Sequence, residues 1–165
     1  MINIFYLILI FIVLQRIAEL TYSNYNTKRL ILEGAKEYYK DHYPLFIILH
    51  GTWIISIIFF IPHNTSANIF FLIVFIILQI LRVWVIITLG KYWTTRIIRI
   101  KNSTLVKKGP YKFIKHPNYL IVFFEILILP LIFSATELSI IFTILNALLL
   151  LYRIKLENKA ILETT

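Results

Sequence analysis

The stretch NIFFLIVFIILQILRVWVIITLG, from Asn68 to Gly90, decides the fold class, and its only charge is Arg82. Roughly 20 apolar residues carry a helix across a bilayer. The stretch has that length and lacks the two-residue alternation of a strand. An open sheet cannot sit in lipid, because its edge groups find no partner there. The reading is therefore a membrane-spanning helix.

Working outward, four further apolar blocks lie near Asn3–Leu20, Pro44–Pro62, Pro117–Phe133 and Leu138–Leu151. The last two are short and close together, which predicts a helical hairpin. The first block has no basic region before it and no small-residue cleavage site after it, so we expect a retained span rather than a signal peptide. The composition agrees: 59% of the 165 residues are hydrophobic, and the mean hydropathy is +0.82. A soluble domain of this length does not carry so much apolar surface. The expected fold is an all-α, polytopic membrane protein with five transmembrane helices, forming one domain over residues 1–165.

The charges set the expected orientation. Lys28, Arg29, Lys36 and Lys40 lie between the first two blocks, and Lys91, Arg96, Arg99, Lys101, Lys107, Lys108, Lys112 and Lys115 between the third and fourth. The tail holds Arg153, Lys155 and Lys159, whereas the loops Pro62–Ala67 and Ser134–Ser139 hold no Lys or Arg. This alternation predicts an N-terminus outside and a C-terminus in the cytoplasm of a cell-membrane, multi-pass protein. Topology and anionic lipid then account for the net charge of +9 without a nucleic-acid partner.

Several chemistries are excluded or disfavoured. There is no cysteine, so disulfides, thiolate metal sites and a Cys nucleophile are absent. The four glycines are scattered and form neither a dinucleotide fingerprint nor a P-loop. His42 and His50 lack a third ligand at metal spacing, and His63 falls on the outer side, so no metal site is expected.

Polar groups inside spans are costly and mark function or pairing. Glu125 lies about 12 Å along a helix that begins at Pro117 and shares a face with Asn118. It is either a structural carboxylate paired with Arg82 or Arg16, or part of a substrate site. On the fifth block, Asn146, Arg153 and Glu157 fall on one stripe, and Arg153 and Glu157 can touch as an i,i+4 pair. They form either an interfacial ion pair or a site. Arg82 and Gln79 are expected to snorkel to the cytoplasmic interface. Gln15, Arg16 and Glu19 read as glue between helices.

The segment GPYKFIKHPNYLIVFFE, Gly109 to Glu125, begins as a basic turn and ends as an apolar helix. Gly109-Pro110 breaks the chain, and Pro117 suits the first turn of a helix. The amides of Asn118 and Tyr119 then form a positive helix end suited to carboxylate or phosphate. A topogenic loop accounts for Lys107, Lys108 and Lys112 but not for the clustering of Tyr111, His116, Asn118 and Tyr119. These parts suit a water-soluble cofactor on one side and a lipid-like substrate on the other.

The run STLVKKGPYKFIKHPNY (Ser103–Tyr119), followed by RIKLE (Arg153–Glu157), resembles the isoprenylcysteine carboxyl methyltransferase family of integral membrane enzymes. QRIAEL (Gln15–Leu20), HYP (His42–Pro44) and LRVWVIITLGKYW (Leu81–Trp93) are similar to features of its small bacterial members. The resemblance implies an S-adenosyl-L-methionine-dependent methyltransferase without a Rossmann domain. It implies cofactor binding by Ser103, Thr104, Leu105, Val106, Tyr111, His116, Pro117, Asn118, Tyr119 and Glu157, with Arg153 facing the acceptor. The chain departs from the family pattern at Lys115, where arginine is common, and at Asn158, where a second acid is common.

The cofactor carries a sulfonium, an ammonium and a carboxylate. Glu157 suits the ammonium, the helix end at Pro117 the carboxylate, and Tyr111 or Tyr119 the sulfonium. Arg153 is expected to orient the acceptor anion, Glu125 to contact substrate, and His116 to assist proton removal from a weaker acid. The resemblance to the small bacterial members implies a lipophilic acceptor, the enol or phenol hydroxyl of an alkylpyrone or related polyketide lipid. A prenylcysteine carboxylate, a phospholipid amine, and a non-catalytic subunit or small transporter are the other readings.

Overall fold

A computed structural model describes residues 3–101 and 105–164. It contains five helices longer than two turns: α1 (Ile4–Leu32), α2 (Tyr43–Phe60), α3 (Ile69–Leu89), α4 (Pro117–Ile132) and α5 (Thr136–Leu162). Each start follows from local chemistry. The Asn3 carboxamide accepts from the Phe5 amide at 2.9 Å, and Asn68 accepts from Phe70 at 3.0 Å. Proline stands in the first turn of α2 and opens α4, where its missing N–H costs nothing.

Four helical stretches are long and apolar enough to cross a membrane: Ile4–Leu32, Lys40–Phe60, Ile69–Tyr92 and Thr136–Leu162. α4 has 16 residues. At 1.5 Å per residue that is about 24 Å, shorter than the ~30 Å hydrocarbon core. α4 and α5 form the expected hairpin, turned through Ser134 at φ 59° and pinned by the Ser139 hydroxyl, which donates to the Leu127 carbonyl at 2.5 Å. α4 packs between α3 and α5, and α2 lies against α5.

Two expectations are corrected. The chain is not purely helical: β1 (Lys36–Tyr38) pairs antiparallel with β2 (Ile97–Arg99), with Lys36 opposite Arg99 and Tyr38 opposite Ile97. The first and last helices also run well past their apolar blocks, to Leu32 and Leu162. These extensions lift Ser23, Asn26, Arg153 and Glu157 to one end of the bundle, where the strands and basic loops gather. At the opposite end the Tyr6 hydroxyl meets His63 Nδ1 at 2.8 Å, and the Asn68 amide donates to the Ile132 carbonyl at 2.7 Å.

The bundle is apolar outside as well as inside. Leu14, Phe59, Ile80, Ile87 and Leu151 are all exposed, as lipid contact requires. The core around Trp53, Ile126 and Ile132 is interrupted by one buried polar network. Glu125 is fully buried and takes Arg16 at 3.0 Å, Gln79 at 3.0 Å, and Arg82. Arg82 also holds Glu19, with one bond of 2.6 Å, and Gln15 bridges Glu19 and Gln79 at 3.1 and 2.8 Å. Arg82 therefore does not snorkel. Two carboxylates at the same depth offer it a better partner than the interface.

Candidate active site

The cytoplasm-predicted end of the bundle holds a cavity of about 580 Å³. This falls in the ~300–1,000 Å³ range of small-molecule sites. Its wall is built in three steps. The 3-10 turn Gly109–Lys112 presents Tyr111, with Leu105 and Val106 just before it. The start of α4 presents His116, Asn118 and Tyr119, and the extended end of α5 presents Arg153 and Glu157. Of the expected cofactor residues, Leu105, Val106, Tyr111, His116, Asn118, Tyr119 and Glu157 thus line one space. Pro117 is buried behind it, and Ser103 and Thr104 lie outside the described residues.

Within this wall, Arg153 and Glu157 do not form the expected ion pair. The Tyr119 hydroxyl stands between them, accepting from Arg153 Nε at 2.8 Å and donating to Glu157 Oε2 at 2.5 Å. The His116 ring stacks on Tyr119, with centroids 5.1 Å apart, and its Nδ1 lies 3.7 Å from Glu157. Burial, reinforced by Lys115, holds the His116 pKa below the usual histidine value, although Glu157 acts in the other direction. Burial and Glu157 together push the Tyr111 hydroxyl up, so it stays protonated.

Arg153 is held by contacts the sequence did not announce. Its guanidinium donates to the Thr95 carbonyl at 2.7 Å and lies over the Phe46 and Tyr119 rings at 5.3 and 5.4 Å. Thr95 is itself fixed from α1: its amide donates to Ser23 Oγ at 2.8 Å, and Asn26 donates to the Trp93 carbonyl at 2.8 Å. Ser23 and Asn26 sit three apart on one helical face, the one signal that could have revealed them. No carboxylate lies within ion-pair range of Arg153 among the described residues.

A second cavity of about 270 Å³ opens deeper in the bundle, walled by α1, α2, α4, α5, Arg82 of α3 and the segment Trp93–Thr95. Arg153, Tyr119, Asn118, Trp93 and Thr94 line both spaces, so the two meet there. Apolar Phe46, Ile47, Ile54, Val122 and Leu150 line the deeper one, with Arg16, Glu19 and Arg82 at its edge. Glu125 lines neither cavity. Its carboxylate is consumed by Arg16, Arg82 and Gln79, so it reaches the deeper space only through those partners.

The residues present fit a charged cofactor. Among the described residues, the buried Asn118 Oδ1 and His116 Nε2 have no partner, and Glu157 is the only carboxylate in the lining of the larger cavity. No side chain caps the start of α4. The Tyr119 amide, however, turns to the His116 carbonyl at 3.2 Å, which leaves Asn118 as the amide available at that end. Lys115 and Asn158, the two departures from the family pattern, touch: the Lys115 ammonium donates to Asn158 Oδ1 at 2.8 Å.

Residues 70–163 match the isoprenylcysteine carboxyl methyltransferase (ICMT) family, a range that includes α3 apart from Ile69, all of α4 and α5, and every described residue of the larger cavity named above. The uncharacterized protein YpbQ of Bacillus subtilis (strain 168) is 38% identical over 163 residues, covering 96% of this chain and 97% of its own length. No solved structure matches. With the HPNY turn, the Arg153–Tyr119–Glu157 relay and the family match in hand, the chain belongs to the isoprenylcysteine carboxyl methyltransferase family of membrane methyltransferases.

Proposed function

We propose that the protein is a membrane-embedded S-adenosyl-L-methionine-dependent O-methyltransferase acting on a lipophilic acceptor. The observation that carries this reading is the meeting of two unlike cavities at Arg153, Tyr119 and Asn118. The larger one has a mixed wall, with Glu157, His116, Asn118 and several Lys and Arg residues set among apolar side chains. The smaller one is apolar and lies within the bundle.

S-adenosyl-L-methionine supplies an electrophilic methyl group. In the larger cavity, Glu157 takes its ammonium, the Asn118 amide its carboxylate, and the faces of Tyr111 and Tyr119 its sulfonium. His116 is placed on this side and contributes its unpartnered Nε2 to the same ligand. Arg153, which has no carboxylate partner, orients the acceptor oxygen at the junction. Transfer from a sulfonium to an oxyanion cancels charge, so a site drier than water favours it once the anion is held. The apolar cavity takes the acceptor's chain, entering from lipid.

The preferred acceptor is the enol or phenol hydroxyl of an alkylpyrone or related polyketide lipid. The support is a likeness to small bacterial members along the whole chain, together with a deep cavity sized for one ring rather than a peptide. A prenylcysteine carboxylate is the alternative, since Arg153 would serve it equally. The proposed topology is five spans, α4 being the short one, with an outside N-terminus and a cytoplasmic active site.

Two measurements test the reading. S-adenosylhomocysteine should raise the melting temperature of the folded protein in detergent; no rise at millimolar ligand overturns the enzyme assignment. Labelled cofactor then separates the acceptors: an alkali-stable methyl ether supports the phenol or enol, and a labile methyl ester supports the carboxylate.

A further inference from the structure

His50 projects from the middle of α2 into the deeper cavity. Its Nε2 is buried and has no hydrogen-bond partner. Its ring is fixed by edge contacts with Phe46 at 6.3 Å and Trp53 at 6.5 Å. A buried imidazole nitrogen without a partner is costly, and such groups in native proteins have a reason to persist. A histidine within a membrane span is a candidate functional group for the same reason.

The surroundings narrow that reason. The charged groups facing the cavity are Arg16 and Glu19 from α1, Arg82 from α3 and Arg153 from α5, with the Tyr119 hydroxyl from α4. Arg16 and Arg82 are already satisfied by Glu19 and Glu125. What remains open among the described residues is one cation without a carboxylate, Arg153, and two neutral acceptors, the His50 imidazole and the Asn118 carboxamide oxygen, of which only the imidazole can take up a proton. Arg153 and the imidazole together suit a group which leaves as an anion and gives up a proton, namely a weakly acidic hydroxyl on an apolar body. A carboxylate needs only the cation.

We propose that His50 binds the hydroxyl of the methyl acceptor and takes its proton, which assigns the deeper cavity to a phenol or enol rather than to an acid. The inference rests on the methyltransferase reading above. The balance is simple. The acceptor O–H bond breaks, with the proton passing to His50 Nε2, and the O–CH₃ bond forms. The S–CH₃ bond of the donor breaks, and its sulfonium becomes a neutral thioether. His116, which lines only the larger cavity, is not placed for this step.

The test uses the full-length protein in detergent with a 5-alkylresorcinol and its dimethyl ether as probes, read by tryptophan fluorescence, since Trp93 lines the cavity. The wild type should bind the resorcinol at least about tenfold more tightly than the ether, and His50→Phe should bind the two alike. With labelled cofactor, His50→Gln should lose about a hundredfold or more in kcat/KM near pH 7 and regain rate as pH approaches the phenol's own pKa. Equal discrimination in wild type and His50→Phe, or parallel pH profiles for wild type and His50→Gln, overturns the proposal. Wild type stabilised by S-adenosylhomocysteine but blind to the hydroxyl sinks only this inference. Wild type that S-adenosylhomocysteine does not stabilise sinks the methyltransferase reading itself.

Discussion

The Tyr119 hydroxyl separates Arg153 from Glu157, 2.8 Å from the first and 2.5 Å from the second. Residues four apart on a helix would otherwise close on each other. The phenol thereby holds the guanidinium at the junction of the two cavities and leaves the carboxylate in the larger one. Tyr119→Phe removes both bonds, and each involves a charged partner worth about 1.5–3 kcal/mol. We expect S-adenosylhomocysteine affinity, measured by calorimetry, to fall at least about tenfold. An unchanged affinity would show that the separation is incidental.

Separating the two neighbours by function gives the second prediction. Glu157→Ala should abolish most cofactor binding, because Glu157 is the only carboxylate among the described residues lining the larger cavity. Arg153→Ala should leave cofactor binding within about threefold while turnover falls about a hundredfold, the loss typical of one oxyanion-stabilising group. Binding by calorimetry and turnover with labelled cofactor distinguish the two variants, and the opposite pattern would exchange their roles.

Glu125 gives a prediction about stability. It is fully buried among Arg16, Arg82 and Gln79. Removing one partner from a buried charge network costs about 3–5 kcal/mol. Arg82→Met should therefore lower the melting temperature more than any cavity variant, and adding Glu125→Leu should restore much of the loss. Glu125→Gln should destabilise while leaving S-adenosylhomocysteine affinity nearly unchanged. A variant that keeps its melting temperature but loses acceptor binding would return Glu125 to the site.

His116 makes the stability of the membrane-surface end depend on pH. Burial lowers its pKa in the folded protein below that of the unfolded chain. Between the two values the unfolded chain binds the extra proton, so stability rises with pH. The contribution is complete above about pH 6.5, the unfolded value, and is lost as pH falls toward and through the folded value. His116→Gln should show a smaller drop in melting temperature than wild type between neutral and acidic buffer. Parallel curves would remove the effect.

How far the sequence was legible depends on the kind of signal. The apolar blocks located every long helix, because lipid demands length and hydropathy over the whole segment. They misplaced the ends of α1 and α5. There the helix continues through residues such as Thr21–Leu32, whose polarity hides it from a hydropathy reading. The strands are three residues each and pair across about sixty positions, so nothing local announces them. The HPNY turn was readable from residue type and spacing as an anion-binding helix start, whereas a cofactor role for Glu157 came only from the family resemblance. Thr95, Ser23 and Asn26 were not readable, because their role is to hold a backbone segment that holds Arg153. His50 looked idle in the sequence, since its meaning comes from a cavity to which five other segments contribute.

Gly109 connects the wall of the larger cavity to the third helix and gives the last prediction. Its φ of +52° suits glycine, and a Cβ there would meet Thr88 Oγ1 at 2.6 Å and Trp84 Nε1 at 3.3 Å. Gly109→Ala combines backbone strain of about 1–3 kcal/mol with that steric clash. The chain can relieve both only by moving Pro110 and Tyr111, which form the adjoining turn. We expect a lower melting temperature together with weaker S-adenosylhomocysteine binding. Adding Thr88→Ala removes the two nearest atoms, so the double variant should recover the steric part and retain the loss due to φ. Should the double variant be no more stable than Gly109→Ala, the close approach to Thr88 is not what requires glycine here.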